Sequence, residues 1–443
     1  MHLSKALRIE SGQVIAFVGA GGKTSAIRRL VSELSGTAPV LVTTSTKLAL
    51  EEENLTEEHQ IVEDAGGLIT ILSEWNHSKS LLLTGPELPD EPKWDGLPLA
   101  QLQDVIEFSR EKKVILLIEA DGAAGRSIKA PAPHEPALPH NLDLLVPVVA
   151  IDALGENLDS DFVHRPDEIL KLLDLENETK LSVEHVAGLL KHPQGGLKAL
   201  PLHAVLRVLI NKVETDEQFS QANEIANLSL QEPKIESVVI GAVQGKDPVR
   251  ATRGRVAAVV LAAGESKRFG GNKLLQVWQG KPLLQHVLEA VRMSKVDVKV
   301  LVLGYEQQTI LDSVEYDGFE VVHNEEWAAG QSRSVKIGLE AVEDKVEAVI
   351  YPLGDMPSVQ PDLINKLIDR YNQTLAPIVA PRVGQEWGNP VLFDRSTFPA
   401  FSEISGDRGA KVLFSRFEIE SFETGPEASW DVDHPDDLAE ENA

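Results

Sequence analysis

The sequence predicts an α/β protein of two domains, each built on a largely parallel sheet. Three observations predict it. Short apolar runs alternate with helix-length stretches from Val14 onward, the series restarts at Arg255, and residues 14–18 and 256–261 each lead directly into a Gly-rich turn. Continuous apolar runs separated by helix-length segments suit strands covered on both faces, as parallel sheets are. A chain of 443 residues also exceeds one ordinary core.

In the first half, residues 14–18 (VIAFV) read as a strand and the pattern turns helical through Leu34. Residues 40–44 are a second strand, and 114–118 (VILLI) a fully buried one. Residues 144–149 and 204–210 are apolar segments that suit either a strand or a buried helix. In the second half, 256–261 form a strand, 282–293 an amphipathic helix, and 298–303, 321–322, 348–351 and 378–380 further strands. The polar stretch 244–254 (QGKDPVRATRG) contains Gly and Pro and follows neither period. It marks the boundary between domains 1–248 and 253–443. The acidic tail after Pro435 reads as a short helix that frays.

A formal net charge of −27 removes general electrostatic binding to a nucleic-acid backbone or an anionic membrane. Small-molecule substrates remain, and an anionic one needs local Lys or Arg, or a divalent cation. The chain has no cysteine, which removes disulfides, thiolate metal sites and cysteine nucleophiles. No secretory pattern opens the chain and no run approaches the roughly 20 apolar residues of a membrane span. A cytoplasmic protein is expected.

The sharpest motif is residues 261–273, LAAGESKRFGGNK. It follows a strand, so its small residues sit at the carboxyl edge of a sheet, where open α/β folds bind ligands. Ala262, Ala263 and Gly264 let backbone N–H groups approach an anion, and Arg268 and Lys273 add charge suited to a triphosphate. Asp355 in residues 351–357 (YPLGDMP) ends an apolar strand and suits Mg2+. Residues 430–435 (WDVDHP) offer a second carboxylate pair; His434 there reads most simply as a turn residue before Pro435.

With residues 330–339 (GQSRSVKIGL) and 387–393 (WGNPVLF), these motifs resemble the molybdenum cofactor cytidylyltransferases of the MobA-like NTP transferase family. The resemblance covers residues 256–438. It implies a Rossmann-like, GT-A-like nucleotidyltransferase fold that uses CTP and Mg2+ and takes Mo-molybdopterin as acceptor. Leu261, Ala262, Ala263, Gly264 and Ser266 would wrap the nucleotide with Gly354, while Arg268 and Lys273 hold its phosphates. Ser332 and Ser334 would lie near base and ribose, Asp355 and Asp433 would hold the metal, and Gly388, Asn389 and Pro390 would shape the acceptor side. Arg268, Lys273 and Asp355 are thus the expected catalytic residues. LAAG marks the cytidylyl group, whereas guanylyl members favour Gly in place of Ala263. Guanylyl transfer, or transfer to a sugar phosphate, is the alternative.

In the first half, residues 19–25 (GAGGKTS) form a Gly-rich turn between strand and helix. Gly19, Gly22, Lys23 and Thr24 suit a phosphate loop, shorter than the usual P-loop spacing, with Asp121 and Glu119 as acidic partners for a metal. Thr43, Thr44 and Lys47 are a polar cluster on the same sheet edge. Residues 211–214 (NKVE) have the outline of a guanine-reading motif, with Glu214 in place of Asp. GAGGKTS, residues 119–136 (EADGAAGRSIKAPAPHEP), 163–166 (VHRP) and 192–195 (HPQG) together resemble the selenium-dependent hydroxylase accessory protein (YqeC-like) family. That resemblance implies nucleotide binding, of ATP or GTP, and a maturation role; the fusion of the two halves points to a molybdenum hydroxylase client, with the first half acting by turnover or as a non-catalytic carrier. His134, His164 and His192 are candidate phosphate or metal groups.

Overall fold

The computed structural model describes residues 1–176, 179–266 and 269–438. The chain divides into two compact units, Met1–Arg253 and Gly254–Ala443. Each unit is described by itself.

The first unit is built on a nine-stranded sheet in the order Val249–Gly254, Ile235–Gly241, Val205–Asn211, Leu144–Ala150, Val14–Gly19, Ile115–Glu119, Val40–Thr44, Leu81–Thr84 and Glu58–Ile61. From Ile235–Gly241 across to Glu58–Ile61 the neighbours pair in parallel. Alternation along the central strand sends side chains to opposite faces. Ile15 and Phe17 join one apolar layer with Ala26, Ile27 and Leu30 of the helix Lys23–Leu34. Val14, Ala16 and Val18 join the other, with Val105 of Leu99–Lys112 and Val186 of Val183–Lys191. The two segments left open by periodicity, 144–149 and 204–210, are both strands.

The stretch 244–254 departs from its reading as patternless. Val249–Gly254 is the edge strand of this sheet, with Val249 and Ala251 each 3% exposed. Between them Arg250 lies 4.4 Å over the Phe219 ring. Val249 and Ala251 flank Arg250 and Thr252 is buried beside them, which pairs a strand but gives too few apolar residues to register as a period.

The second unit carries an eight-stranded sheet. Its path runs Glu320–His323, Val298–Leu303, Val256–Ala262, Ala348–Tyr351, Val391–Asp394, Ile378–Val383 and Glu386–Trp387, with Ile419–Glu423 also paired to Ile378–Val383. The first four strands are parallel, and Val391–Asp394 pairs antiparallel to Ala348–Tyr351. The chain leaves the central strand Val256–Ala262 on one side and returns on the other at Ala348–Tyr351. The strand order therefore reverses between these two, where open sheets leave a crevice at their carboxyl ends. The amphipathic stretch 282–293 is the helix Leu283–Arg292, which buries Leu283, Leu284, Val287, Leu288 and Val291. Gly338 lets the helix Gln331–Glu340 lie close on the sheet: a Cβ there would stand 2.3 Å from Val259 Cγ1. Of the acidic tail, Pro435–Leu438 is a short 3-10 helix and the remainder lies outside the described residues. Among the described residues no helix is long and apolar enough to cross a membrane.

Candidate active site

The crevice of the second unit is assembled from segments far apart in sequence, each fixed by backbone hydrogen bonds. Leu261 N donates to Pro352 O at 2.9 Å and Gly354 N to Leu261 O at 3.0 Å, which ties the Asp355 loop to the end of the central strand. Gly354 makes that approach easy, since a Cβ would lie a tight 3.1 Å from Leu261 O and 3.2 Å from Leu284 Cδ1. Val432 N in turn donates to Asp355 O at 3.1 Å. Val432 is fully buried against Trp278 and Leu283, so its neighbours Asp431 and Asp433 are left on the outer side. Lys273 opens the short 3-10 helix Lys273–Leu275, capped by the Asn272 side chain.

These fixtures bring three of the expected residues together. Lys273 Nζ lies 2.6 Å from Asp355 Oδ2 and 3.0 Å from Asp433 Oδ1. Burial pulls this ammonium's pKa down, but the paired carboxylates of Asp355 and Asp433 outweigh it and hold Lys273 above the ordinary lysine range. Asp431, though exposed, is pushed up by desolvation and by repulsion from Asp355 and Asp433. Three carboxylates thus face one ammonium, and a polyphosphate can enter only with more positive charge. Arg268 lies outside the described residues.

The donor set fits Mg2+. Among the described residues no group of three or more His, Cys, Asp or Glu is arranged to hold a metal. Asp355 and Asp433 nevertheless converge on one cation, and Mg2+ commonly takes one or two carboxylates and completes its shell with water and phosphate oxygens.

A cleft of about 500 Å³ opens on this triad. Leu261, Ala262, Ala263, Gly264, Ser266, Lys273, Ser334, Asp355 and Asp433 all line it. Gly354 stands behind the wall rather than on it. Ser332 does not line the cleft; it is buried, and its N–H donates to Gly406 O at 3.1 Å. Nor does Ser332 cap the helix, whose N-cap is Gly330. Ser334 is also buried, its Oγ accepting from Asn324 Nδ2 at 2.9 Å. His434 is an exposed turn residue whose N–H donates to Asp437 Oδ2.

A second cavity of about 180 Å³ shares Leu261, Gln331 and Leu353 with the cleft. Asn389 lines it, whereas Gly388 and Pro390 do not. Gly388 packs so tightly that a Cβ would lie 2.8 Å from Ala428 O, and the Asn389–Pro390 peptide is cis. Sequence reasoning missed Trp327, Gln331 and Asp407 in the cleft, and Gly409 and Lys411 in the second cavity. A signal was present in residues 406–411 (GDRGAK), which carry two Gly and two cations.

The first unit's loop differs. Gly19, Gly21 and Gly22 all have positive φ, and a Cβ on any of them would meet a neighbour within 2.5 Å. Lys23, 4% exposed, donates to Gly19 O at 2.7 Å and lies 3.2 Å from Asp121 Oδ1. Thr24 Oγ1 donates to Glu119 Oε2 at 2.9 Å, and burial raises the pKa of Glu119 despite Lys23 nearby. Behind the loop, Lys129 Nζ bridges Asp121 at 2.9 Å and Glu135 at 2.8 Å, and Arg165 grips Glu135 with both terminal nitrogens. Asn211, the first residue of NKVE, donates to Gly21 O at 2.8 Å and so braces the loop, while Lys212 pairs with Asp152 at 2.7 Å. Thr43 and Thr44 use their hydroxyls on backbone carbonyls, and Lys47 pairs with Glu91. His192 Nδ1 accepts from Gln194 N, a turn contact; His164 is lowered by burial and by Arg165; His134 joins no metal-ligand group among the described residues.

Comparison with known proteins bears on both units. Residues 258–421 match the MobA-like NTP transferase domain, and residues 15–167 match the YqeC protein family. The chain is 27% identical over 236 residues to Uncharacterized protein YqeC of Escherichia coli (strain K12), covering 52% of this chain and 88% of that protein. It is 30% identical over 134 residues to a probable molybdenum cofactor guanylyltransferase of Thermococcus sibiricus, covering 30% of this chain. There it spans 63% of the relative's length. Among solved structures, a homolog of Mycobacterium tuberculosis rv0371c from Mycobacterium sp. strain JC1 is 29% identical at a TM-score of 0.38, covering 42% of this chain and 96% of that one. The second half of the chain is thus similar to MobA-like NTP transferase domains, and the first half to the YqeC protein family.

Proposed function

We propose that the second unit transfers a cytidylyl group from CTP to the phosphate of Mo-molybdopterin and releases pyrophosphate. The observation that carries this reading is the Lys273 ammonium held between Asp355 and Asp433 on a cleft of about 500 Å³ at the strand reversal. The acceptor phosphate is already anionic near neutral pH, so no strong general base is needed. One of its oxygens forms a bond to the α-phosphorus as the bond to the bridging oxygen of pyrophosphate breaks. The obstacle is repulsion between two anions, and the protein's work is to align them and neutralise charge on the leaving group. Lys273 and Arg268 hold the phosphates, and Asp355 and Asp433 hold Mg2+, which supplies further charge neutralisation when bound. Backbone amides at residues 262–264 border the triphosphate.

The choice of CTP rests on Ala263, which is 5% exposed and lines the cleft where guanylyl members favour Gly. Ala263 also packs in the apolar core with Val259 and Val335, so its methyl bears on a purine through the position of the cleft wall. The names of the archaeal relatives favour GTP instead. Pyrophosphate release measured with CTP, GTP and UTP, each with Mo-molybdopterin, separates the readings. CTP preference supports cytidylyl transfer, GTP preference supports guanylyl transfer, and turnover with a sugar phosphate alone defeats both.

For the first unit the proposal is binding of ATP or GTP at Gly19, Gly22, Lys23 and Thr24, with Glu119 and Asp121 as acidic partners, in the maturation of a molybdenum hydroxylase. Three glycines of positive φ ahead of a helix N-terminus support it, because a turn without side chains lets an anion approach the backbone there. Nucleotide turnover that depends on Lys23 indicates a switch, and binding without turnover indicates a carrier.

A further inference from the structure

A nucleotide held by its phosphates at residues 19–24 of the first unit must lay its base on something nearby. Two strands from Val14–Gly19, across Leu144–Ala150, stands Val205–Asn211, with Ile235–Gly241 beside it. All four run parallel, so residues 211–214 and 242–246 leave the sheet at the same carboxyl edge as the Gly-rich turn.

Side chains tie the three segments together. Asn211 is 4% exposed and uses both ends of its carboxamide: Nδ2 donates to Gly21 O at 2.8 Å, and Oδ1 accepts from Val243 N at 3.0 Å. Gln244 Nε2 donates to Ser25 Oγ at 3.0 Å, two residues past Lys23. Arg29, one turn further along the same helix, donates to Gly245 O. Residues 243–245 are thus held at three points beside the helix that begins at the phosphate loop.

Within this frame two polar groups are fixed in place yet unused. The backbone of Glu214 is pinned by Gln218, whose Oε1 accepts from Glu214 N at 2.9 Å and from Thr215 N at 3.1 Å. The Glu214 carboxylate is exposed, and among the described residues it has no hydrogen-bond or ion-pair partner. Nor does the Gln244 N–H have an acceptor among the described residues. Lys212 takes a left-handed φ of 61°, a conformation that costs a non-glycine residue free energy. That turn buries Val213, whose N–H donates to Gly241 O at 2.9 Å. It also sends the Lys212 stem back toward the loop, where Nζ reaches Asp152 Oδ2 at 2.7 Å and Ser127 Oγ at 3.3 Å. Ser127 adjoins the loop itself, since a Cβ on Gly21 would stand 2.7 Å from Ser127 O. An aliphatic stem anchored at its charged end is a surface on which a planar base can rest.

The two unused groups discriminate between purines. A carboxylate only accepts hydrogen bonds and a backbone N–H only donates. Guanine offers N1–H and N2–H to a carboxylate, with O6 beside them for an N–H donor. Adenine presents the reverse, a donor at N6 and a lone pair at N1, so the same two groups oppose it. We propose that the first unit selects a guanine nucleotide: Glu214 accepts from N1–H and N2–H, Gln244 N donates to O6, and the Lys212 stem covers one face of the base. The proposal rests on nucleotide binding at the Gly-rich turn and decides between the two nucleotides left open there.

The test is calorimetric titration of GDP, ADP and xanthosine diphosphate, each with Mg2+, into the full chain carrying Asp355→Asn, so that the cleft at Lys273 takes no part. GDP is expected to bind about tenfold or more tightly than ADP. Xanthine carries a carbonyl oxygen where guanine has its 2-amino group, and Glu214→Gln places an N–H donor where the carboxylate accepts. Adding Glu214→Gln is therefore expected to weaken GDP about tenfold or more and to reverse the preference in favour of xanthosine diphosphate. Glu214→Ala weakens GDP without that gain. Glu214 is exposed, so both variants keep the fold. GDP affinity unchanged by Glu214→Gln overturns the proposal, as does a starting chain that binds ADP as tightly as GDP or more so. Either result leaves nucleotide binding by the first unit standing. Absence of heat with all three diphosphates removes both.

Discussion

The two units each set a lysine behind a Gly-rich turn at the end of a central parallel strand, yet the two lysines are in opposite circumstances. Lys23 is buried: it bonds to its own loop carbonyl, pairs with Asp121, and joins a chain of charges that continues through buried Lys129 to the half-buried Glu135 and Arg165. Lys273 faces a cleft, and its two carboxylates arrive from loops about 80 and 160 residues further along the chain. The lesson is that a glycine-lysine turn does not by itself make an open site. In the first unit Asp121 holds Lys23 inward, so a nucleotide bound at the turn must draw the lysine from that carboxylate. In the second, the strand reversal opens a space in front of it.

That contrast predicts different consequences for removing the two cations. Lys23→Met leaves Asp121 buried with one cation fewer, so it is expected to cost about 3 kcal/mol of stability in the first unit. Chemical denaturation of the full chain reads this, and transfer activity of the folded fraction should not change. Lys273→Ala and Asp355→Ala should instead remain folded and lose at least about a hundredfold in pyrophosphate release, since each removes charge stabilisation from the transition state. If the stability loss and the activity loss changed places, the contrast would be broken.

A third outcome sharpens the view of the first unit as a locked network. Burial would raise the pKa of Glu135, but hydrogen bonds from Arg165 and Lys129 override it and hold the carboxyl at about 2. Its folded pKa is depressed, so its contribution is fully present above the unfolded value of about 4.3 and is lost as pH falls from there toward 2. Glu135→Gln is expected to flatten the acid limb of the stability profile and to cost about 2 kcal/mol near neutrality. An unchanged acid limb would mean that the chain of charges is not energetically joined. The smallest effect belongs to Ala263→Gly, which should shift the CTP-to-GTP preference toward GTP by roughly threefold to tenfold, as a methyl's worth of pocket space does.

Much of this was legible in the sequence because it was local. The strands that precede LAAG and GAGGKTS, and the Asp at the end of residues 348–351, announce themselves by an apolar run that stops at small residues. The convergence of Lys273, Asp355 and Asp433 was inferable as chemistry, although not as geometry. What fixes it is Val432, whose burial and hydrogen bond to Asp355 O no local pattern reveals. Ser332 looked equivalent to Ser334 by type and spacing. Two positions along a helix point to different sides, and only one reaches the cleft. Gln331 and Lys411 escaped notice because their meaning depends on Gly330 meeting Gly406, a close backbone approach between residues far apart in the chain. The edge strand Val249–Gly254 was hidden by its arginines.

The most direct test is calorimetric titration of CTP with Mg2+ into the full chain and into two variants, Asp355→Asn and Lys23→Met. The expected result is saturable heat in the wild type that persists in Lys23→Met and disappears in Asp355→Asn. Heat that survives in Asp355→Asn and vanishes in Lys23→Met would place the nucleotide in the first unit and contradict the assignment of the cleft at Lys273.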